Sequence, residues 1–195
     1  MTVLFHDFCD GCGPVPAHRH VNPDGSAGGW VADTAHVADT AYVGAEAEVY
    51  GAAFVFEHAM IYGQAKIYGG AVVCDSARVS DSARVYDGAT VSGQAHIRAN
   101  ARVYGAAEVV EEAWITDRAR VFDRAAVCDH ALVGGNAQVY GQACLYHHAR
   151  ALGNARVYGQ ARLTDWAQVA EEAQACGRTP LCGDTILRGR QIAND

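Results

Sequence analysis

Four dipeptides recur at 18-residue intervals late in the chain: Glu111-Glu112, Asp129-His130, His147-His148 and Asp165-Trp166. If that interval is a structural repeat, His147 lies between Asp129 and Asp165, and His130 between Glu112 and His148. A histidine flanked by carboxylates is the arrangement of a tuned general base or of a metal ligand. Polar corners of a repeat protein put the same residues side by side with no chemistry attached, and nothing around these four pairs signals a pocket that excludes water. A second set lies in the N-terminal segment CDGCGPVPAHRH, which offers Cys9, Cys12, His18 and His20. These are zinc-ligand types, spaced more tightly than the usual finger patterns. The alternative is a pair of free thiols in a covering loop, and Cys176 with Cys182 could close a similar loop at the other end.

A third set is cationic and aromatic. Lys66, Arg84, Arg102, Arg120 and Arg156 share one phase of the 18-residue interval, and Tyr68, Tyr86, Tyr104, Tyr140 and Tyr158 follow two residues along, with Tyr50 and Phe122 in the same aromatic phase. As a well-behaved β face, the rings supply cross-strand packing and the cations supply solubility. As a recognition strip, guanidiniums and phenols present paired donors to phosphate or carboxylate on a protein or other anionic partner.

The element that positions these residues is legible from alanine. Ala recurs at every sixth position from Ala35 to Ala173 without an insertion, and Val, Ile or Leu follows two residues later except at Ala151 and Ala175. A spacing of two puts both residues on one side of a short strand. The next two slots are rich in Gly, Asp, Asn, Ser and Gln, which tolerate left-handed corners. A period of six keeps no single face of a 3.6-residue helix. Three such hexads make the 18-residue interval, so the chain reads as an all-β, three-sided parallel solenoid, 18 residues per coil. It would have about 8 coils stacked about 4.8 Å apart.

The phrase NARVYG at 100–105 and 154–159, following SAGGWVADTAHV at 26–37, resembles the hexapeptide-repeat left-handed β-helix proteins and, within them, the YdcK-like group. The resemblance covers about residues 26–177. It implies the left hand of the coil, which spacing does not set. It also raises the activity of the wider family, an acyltransferase using acetyl-coenzyme A between subunits. Under that alternative the catalytic candidates are His147, His148 and His130 with Asp129 as the orienting carboxylate. Enzymes of that kind break the coils with a loop or add a domain to build the pocket, and here the hexads run unbroken.

Around the solenoid, residues 1–30 are expected as an N-terminal cap, 31–177 as the β-helix and 178–195 as a C-terminal cap, with Trp30 plugging the first coil. Outward slots of the second face are apolar: Phe54, Phe56, Val72, Cys74, Val110, Ala126, Cys128, Cys144 and Tyr146, interrupted by Thr90, Ser92 and Glu108. Such a patch is seldom left uncovered: either a terminal segment lies over it or another subunit does, and the second, a homo-oligomer, is the expectation. The third face, with Met60, Tyr62, Arg78, His96, Arg98, Trp114, Leu132 and Arg150, is mixed. A net charge of -7 and a pI near 5.6 make nucleic acid an unlikely partner for the whole molecule. No signal peptide or membrane-length apolar run is apparent, and seven scattered Cys do not read as a secreted disulfide scaffold, so a cytoplasmic protein is expected. The reading that follows is a non-catalytic binding or assembly scaffold with no cofactor expected, a zinc ion in the N-terminal cap standing as the alternative to free thiols there.

Overall fold

The computed structural model describes residues 4–178 and 180–194. Its repeating unit is a two-residue strand every six residues, from β4 (His36–Val37) to β27 (Gln174–Ala175). Each strand pairs in parallel with the strands 18 residues before and after it, as Arg84 does with Lys66 and with Arg102. Three parallel sheets result, and the chain forms a three-sided β-solenoid of about nine turns.

The two inward slots do different work. Val, Ile or Leu fills the middle of each face, and Ala sits just past each corner, where the walls converge. Both are buried from Ala41 to Ala175, while Val37 in the first coil is partly buried. Most corners are turns closed by the Ala amide onto a carbonyl three residues back, as from Ala65 N to Tyr62 O at 3.2 Å. From Gly51 onward the first corner residue takes a positive φ, whether Gly (Gly51, 70°), a carboxylate (Asp87, 59°; Glu111, 61°) or, at two corners, Ala99 and His147. At Gly51 a Cβ would stand 2.9 Å from the amide nitrogen of Gly69 in the next coil. A carboxylate in this slot turns the close approach into a bond: Asp123 Oδ2 accepts the Gly141 amide at 3.1 Å. Left-handed backbone is costly for a residue with a side chain, and that bond offsets the cost.

The N-terminal segment departs from the expected plug. Strands β1 (Phe5–His6) and β2 (Val15–Val21) are antiparallel to each other, β2 is antiparallel to β3 (Ala27–Ala32), and β3 joins the first face in parallel. The open end of the core is closed by side chains of β2 and the turn that follows. His20 Nε2 lies 3.0 Å from the Ala41 carbonyl, and Asn22 Oδ1 accepts the Val43 amide at 2.8 Å. These backbone groups lie in and just before β5 (Tyr42–Val43), which ends its sheet and has no strand beneath it. Trp30 does not plug the coil. It occupies the outward slot in register with Glu48, stacked on His6 at 4.6 Å with the Arg19 guanidinium 4.5 Å away. The inward slot beside it belongs to Gly29, where a Cβ would lie 2.1 Å from the Ala47 carbonyl oxygen.

The coil also runs further than the repeat. Leu181 bridges Leu163, β28 (Ile186–Leu187) pairs with Gln168–Val169, and β29 (Ile192–Ala193) pairs with Gln174–Ala175. The segment expected as a separate C-terminal cap is therefore a further turn in the same register. Its alanine slots hold Thr185 and Gln191, which hides it from the six-residue pattern; an end layer is not squeezed between two others and does not need the small side chain. No helix of the described residues is long and apolar enough to cross a membrane.

Candidate binding groove on the first face

The register of the first face places Arg84, Arg102 and Arg120 one above another, then Gln138, then Arg156. Lys66 stands in the same column but is not part of a free strip. It is ion-paired with Glu48, and its Nζ donates to the Phe8 carbonyl at 3.3 Å. Beside the cations the aromatic column forms one stack from Tyr50 to Tyr158. Tyr68, Tyr86 and Tyr104 lie 4.8 Å apart with rings within 3° of parallel, and the stack continues through Phe122 and Tyr140. At its N-terminal end Phe8, only 2 % exposed, lies on Tyr50 at 4.7 Å. It fills the space left where the column reaches Ala32.

This geometry changes what the strip offers. Ring faces are consumed within the stack, so ring edges and hydroxyls face outward and a partner's ring finds no platform to stack on. Burial pushes the phenols of Tyr68, Tyr86 and Tyr104 up, which keeps them protonated donors across the neutral range. Among the described residues, Arg102, Arg118, Arg120 and Arg156 have no carboxylate within ion-pair distance.

Sequence reasoning missed the other wall of the site. Asn100, Arg118, Asn136 and Asn154 occupy corner slots two residues before the Arg column and 18 residues from one another. Asn100, Arg102, Arg118 and Arg120 frame an open depression of about 230 Å³. Asn136, Gln138, Asn154 and Arg156 line part of a second, of about 590 Å³, which reaches Glu172 and Arg190. Both follow the same two columns, so guanidiniums and amides line a shallow groove along the prism. The signal was available in NARVYG itself, where Asn precedes Arg by two, but only with the corner slot counted as part of the face.

The stacked corner pairs are brought together as the spacing predicts, and their side chains are occupied. Asp129 Oδ2 accepts the His147 amide at 2.7 Å, Glu111 Oε2 accepts the Asp129 amide at 2.9 Å, and Asp165 Oδ2 accepts the Gly183 amide at 3.0 Å. His147 Nδ1 accepts the Asp165 amide at 3.2 Å and stands 3.2 Å from Asp165 Oδ1. The amide of His147 holds the Asp129 carboxyl below its ordinary range, and the amide of Gly183 does the same for Asp165. The second corner column is a ring stack: His130 on His148 at 5.0 Å, and His148 on Trp166 at 4.0 Å, with Glu112 Oε2 3.3 Å from His130 Nδ1. These residues lie on an open corner. Their first task is to satisfy backbone amides that left-handed corners withdraw from the sheet ladder.

The N-terminal Cys and His residues are not gathered. His20 is buried with its Nε2 at the Ala41 carbonyl, and His18 pairs with Asp33 at 2.9 Å. Cys9 and Cys12 are exposed in the loop between β1 and β2, where Asp7 and Asp10 accept their amides. Among the described residues, no three His, Cys, Asp or Glu side chains converge as a metal-holding group.

On the second face the outward apolar residues stack as the spacing predicts, Phe54 below Val72 and Ala126 below Cys144. The N-terminal strands join the first face and the last turn extends the end of the prism, so the described residues of neither terminal segment cover this patch. On the third face His96 stacks on Trp114 at 4.2 Å with the Arg98 guanidinium 5.1 Å from the indole; burial, then Arg78 and Arg98, push the His96 imidazole down. Neither the family models nor the curated proteins compared with this chain gave a match.

Proposed function

We propose that this protein is a non-catalytic scaffold that holds an extended anionic partner along the first-face groove and associates with its own copies through the second face. One observation carries the reading: Arg102, Arg118, Arg120 and Arg156 line one groove with the Asn and Gln amides and, among the described residues, have no carboxylate within ion-pair distance. Unpaired guanidiniums in a row repel one another, and a partner carrying carboxylates, phosphates or sulfates relieves that repulsion while accepting bidentate bonds. The amides add neutral hydrogen bonds between the charges, which suits a chain-like partner with both acidic and hydroxyl or amide groups. Acyl transfer with acetyl-coenzyme A, the alternative that the sequence resemblance raised, has no equivalent support: its histidines lie on an open corner and its carboxylate accepts a backbone amide.

The test is binding of a polyglutamate and of a sulfated polysaccharide by calorimetry, with wild type and with Arg102→Glu combined with Arg120→Glu. Salt-sensitive binding by wild type, reduced at least about tenfold in the variant with its melting temperature unchanged, is the expected result; ion pairs at the surface are screened over about 8–10 Å of solution. Saturable binding of acetyl-coenzyme A coupled to acyl transfer that His148→Ala abolishes would overturn the scaffold reading.

A further inference from the structure

The second face carries two apolar patches of similar extent on either side of a polar belt. One patch is Phe54, Phe56, Val72 and Cys74; the belt is Thr90, Ser92 and Glu108; the other patch is Ala126, Cys128, Cys144 and Tyr146, with Val110 at its edge. Phe56 and Glu108 are exposed and the others partly exposed. Their rows are spaced one coil apart, about 4.8 Å, and only a surface with the same repeat can interdigitate with such rows one for one. A second copy of this chain has that repeat.

We infer that two copies pair through their second faces with axes antiparallel, about a two-fold axis that runs along the strand direction between the Thr90 and Glu108 rows. The inference rests on the second face being the assembly surface and adds which residues meet. A two-fold of this kind maps each outward column onto the same column of the other copy in reversed order. Phe54 then faces Cys144, Val72 faces Ala126 and Thr90 faces Glu108 in one column; Phe56 faces Tyr146, Cys74 faces Cys128 and Ser92 faces Val110 in the other. Within the first column large residues meet small ones, and in the second the rings of Phe56 and Tyr146 meet each other. The single acid of the belt meets the Thr90 hydroxyl, which donates to its carboxylate, and the like charges of the two Glu108 side chains lie a row apart. Outside the patches, His36 faces Arg162 at the rim. The parallel alternative, with the two-fold along the prism, places Phe54 against Phe56, leaves Ala126 against Cys128, and buries Glu108 against Val110 with no donor. The arrangement is closed: both patches are used in each copy, and no surface is left to propagate a fibre.

Two free thiols make the register readable. Cys74 and Cys128 stand three coils apart in one chain, roughly 14 Å at about 4.8 Å per coil, beyond the reach of a disulfide, which needs Cα atoms within about 7 Å. Facing sheets pack about 10 Å apart, too far for a direct disulfide between copies as well, but the facing thiols are within reach of a short bismaleimide that does not span three coils. A Cys74–Cys128 cross-link therefore forms only between copies. Burial pushes both thiols up, so the reaction is run in mildly alkaline buffer with bismaleimidoethane, whose two alkenes each add one thiol with no leaving group. The expected result is a dimer by light scattering, covalent after cross-linking, with the linked Cys74–Cys128 peptides found by mass spectrometry and lost in Cys128→Ser. In a background carrying Cys74→Ser and Cys128→Ser, Phe54→Cys is expected to link instead to Cys144 of the second copy. A dimer that gives neither link overturns the antiparallel register while leaving the assembly surface standing. A wild type that is monomeric at every concentration tested overturns both, and does so independently of any binding by the first-face groove.

Discussion

Asp129 shows how one side chain can suggest two different roles. Its 18-residue spacing from His147 is real, and in sequence that juxtaposition reads as a base and its orienting carboxylate. The structure adds that the corner residue is left-handed, φ 56° at both positions, and that the carboxylate is spent on the next coil's amide. Sequence could place the residues in register but not show which group each side chain faces, because that depends on where a corner points its N–H. The assignment carries a pH consequence. Because the folded carboxyls of Asp129 and Asp165 lie below their ordinary range, their contribution is fully present above the ordinary carboxylate pKa of about 4. It is lost as pH falls through the lower folded values. Thermal melts followed by circular dichroism should therefore show a steep loss of stability below about pH 4, and the double variant Asp129→Asn, Asp165→Asn should flatten that slope. An unchanged acid profile would mean that the corner carboxylates contribute nothing to the coil.

Among the elements, the aromatic column and the N-terminal strands are the pair that sequence and structure divide between them. The column itself was legible, because tyrosines 18 apart in a parallel solenoid must stack. What lies on its end was not: β1 and β2 follow no hexad, and antiparallel pairing outside the repeat leaves no period to read. The final turn escaped notice for the related reason that its alanine slots are filled by other residues. Two predictions belong at this scale. Removing a ring from the middle of the stack with Tyr104→Ala breaks two ring pairs, at 4.8 and 5.0 Å. It should cost about 1–3 kcal/mol in denaturant unfolding, at about 0.5–1.5 kcal/mol for each pair. Phe8→Ala should act locally. Its ring is the main apolar anchor of the segment before β2, so hydrogen exchange should speed up across residues 5–17 while the coils from Ala35 onward keep their protection. Uniform loss of protection along the prism would show instead that the N-terminal strands nucleate the whole solenoid.

At the scale of the whole molecule, the groove and the second face lie on adjacent walls of one prism, and the two-fold axis inferred above connects them. Because it runs along the strand direction, it keeps left and right unchanged, and the first faces of both copies end up on the same flank of the dimer. A short anionic oligomer engages one groove. A long one can engage two, and its second contact is made at the high effective concentration set by the first. Association and binding should then couple only for long ligands. Replacing Phe56 and Tyr146 by Glu puts like charges face to face in the inferred register and should yield monomers. Affinity for an anionic oligomer too short to leave one groove should stay within about twofold, because the substitutions lie on the other wall and distant sites behave additively. Affinity for a polymer several times the length of the prism should fall at least about tenfold, toward that of the single groove. Equal losses for short and long ligands would show that the second-face substitutions distort the groove. No loss for either would place the two grooves out of reach of one polymer and favour a different arrangement of the copies.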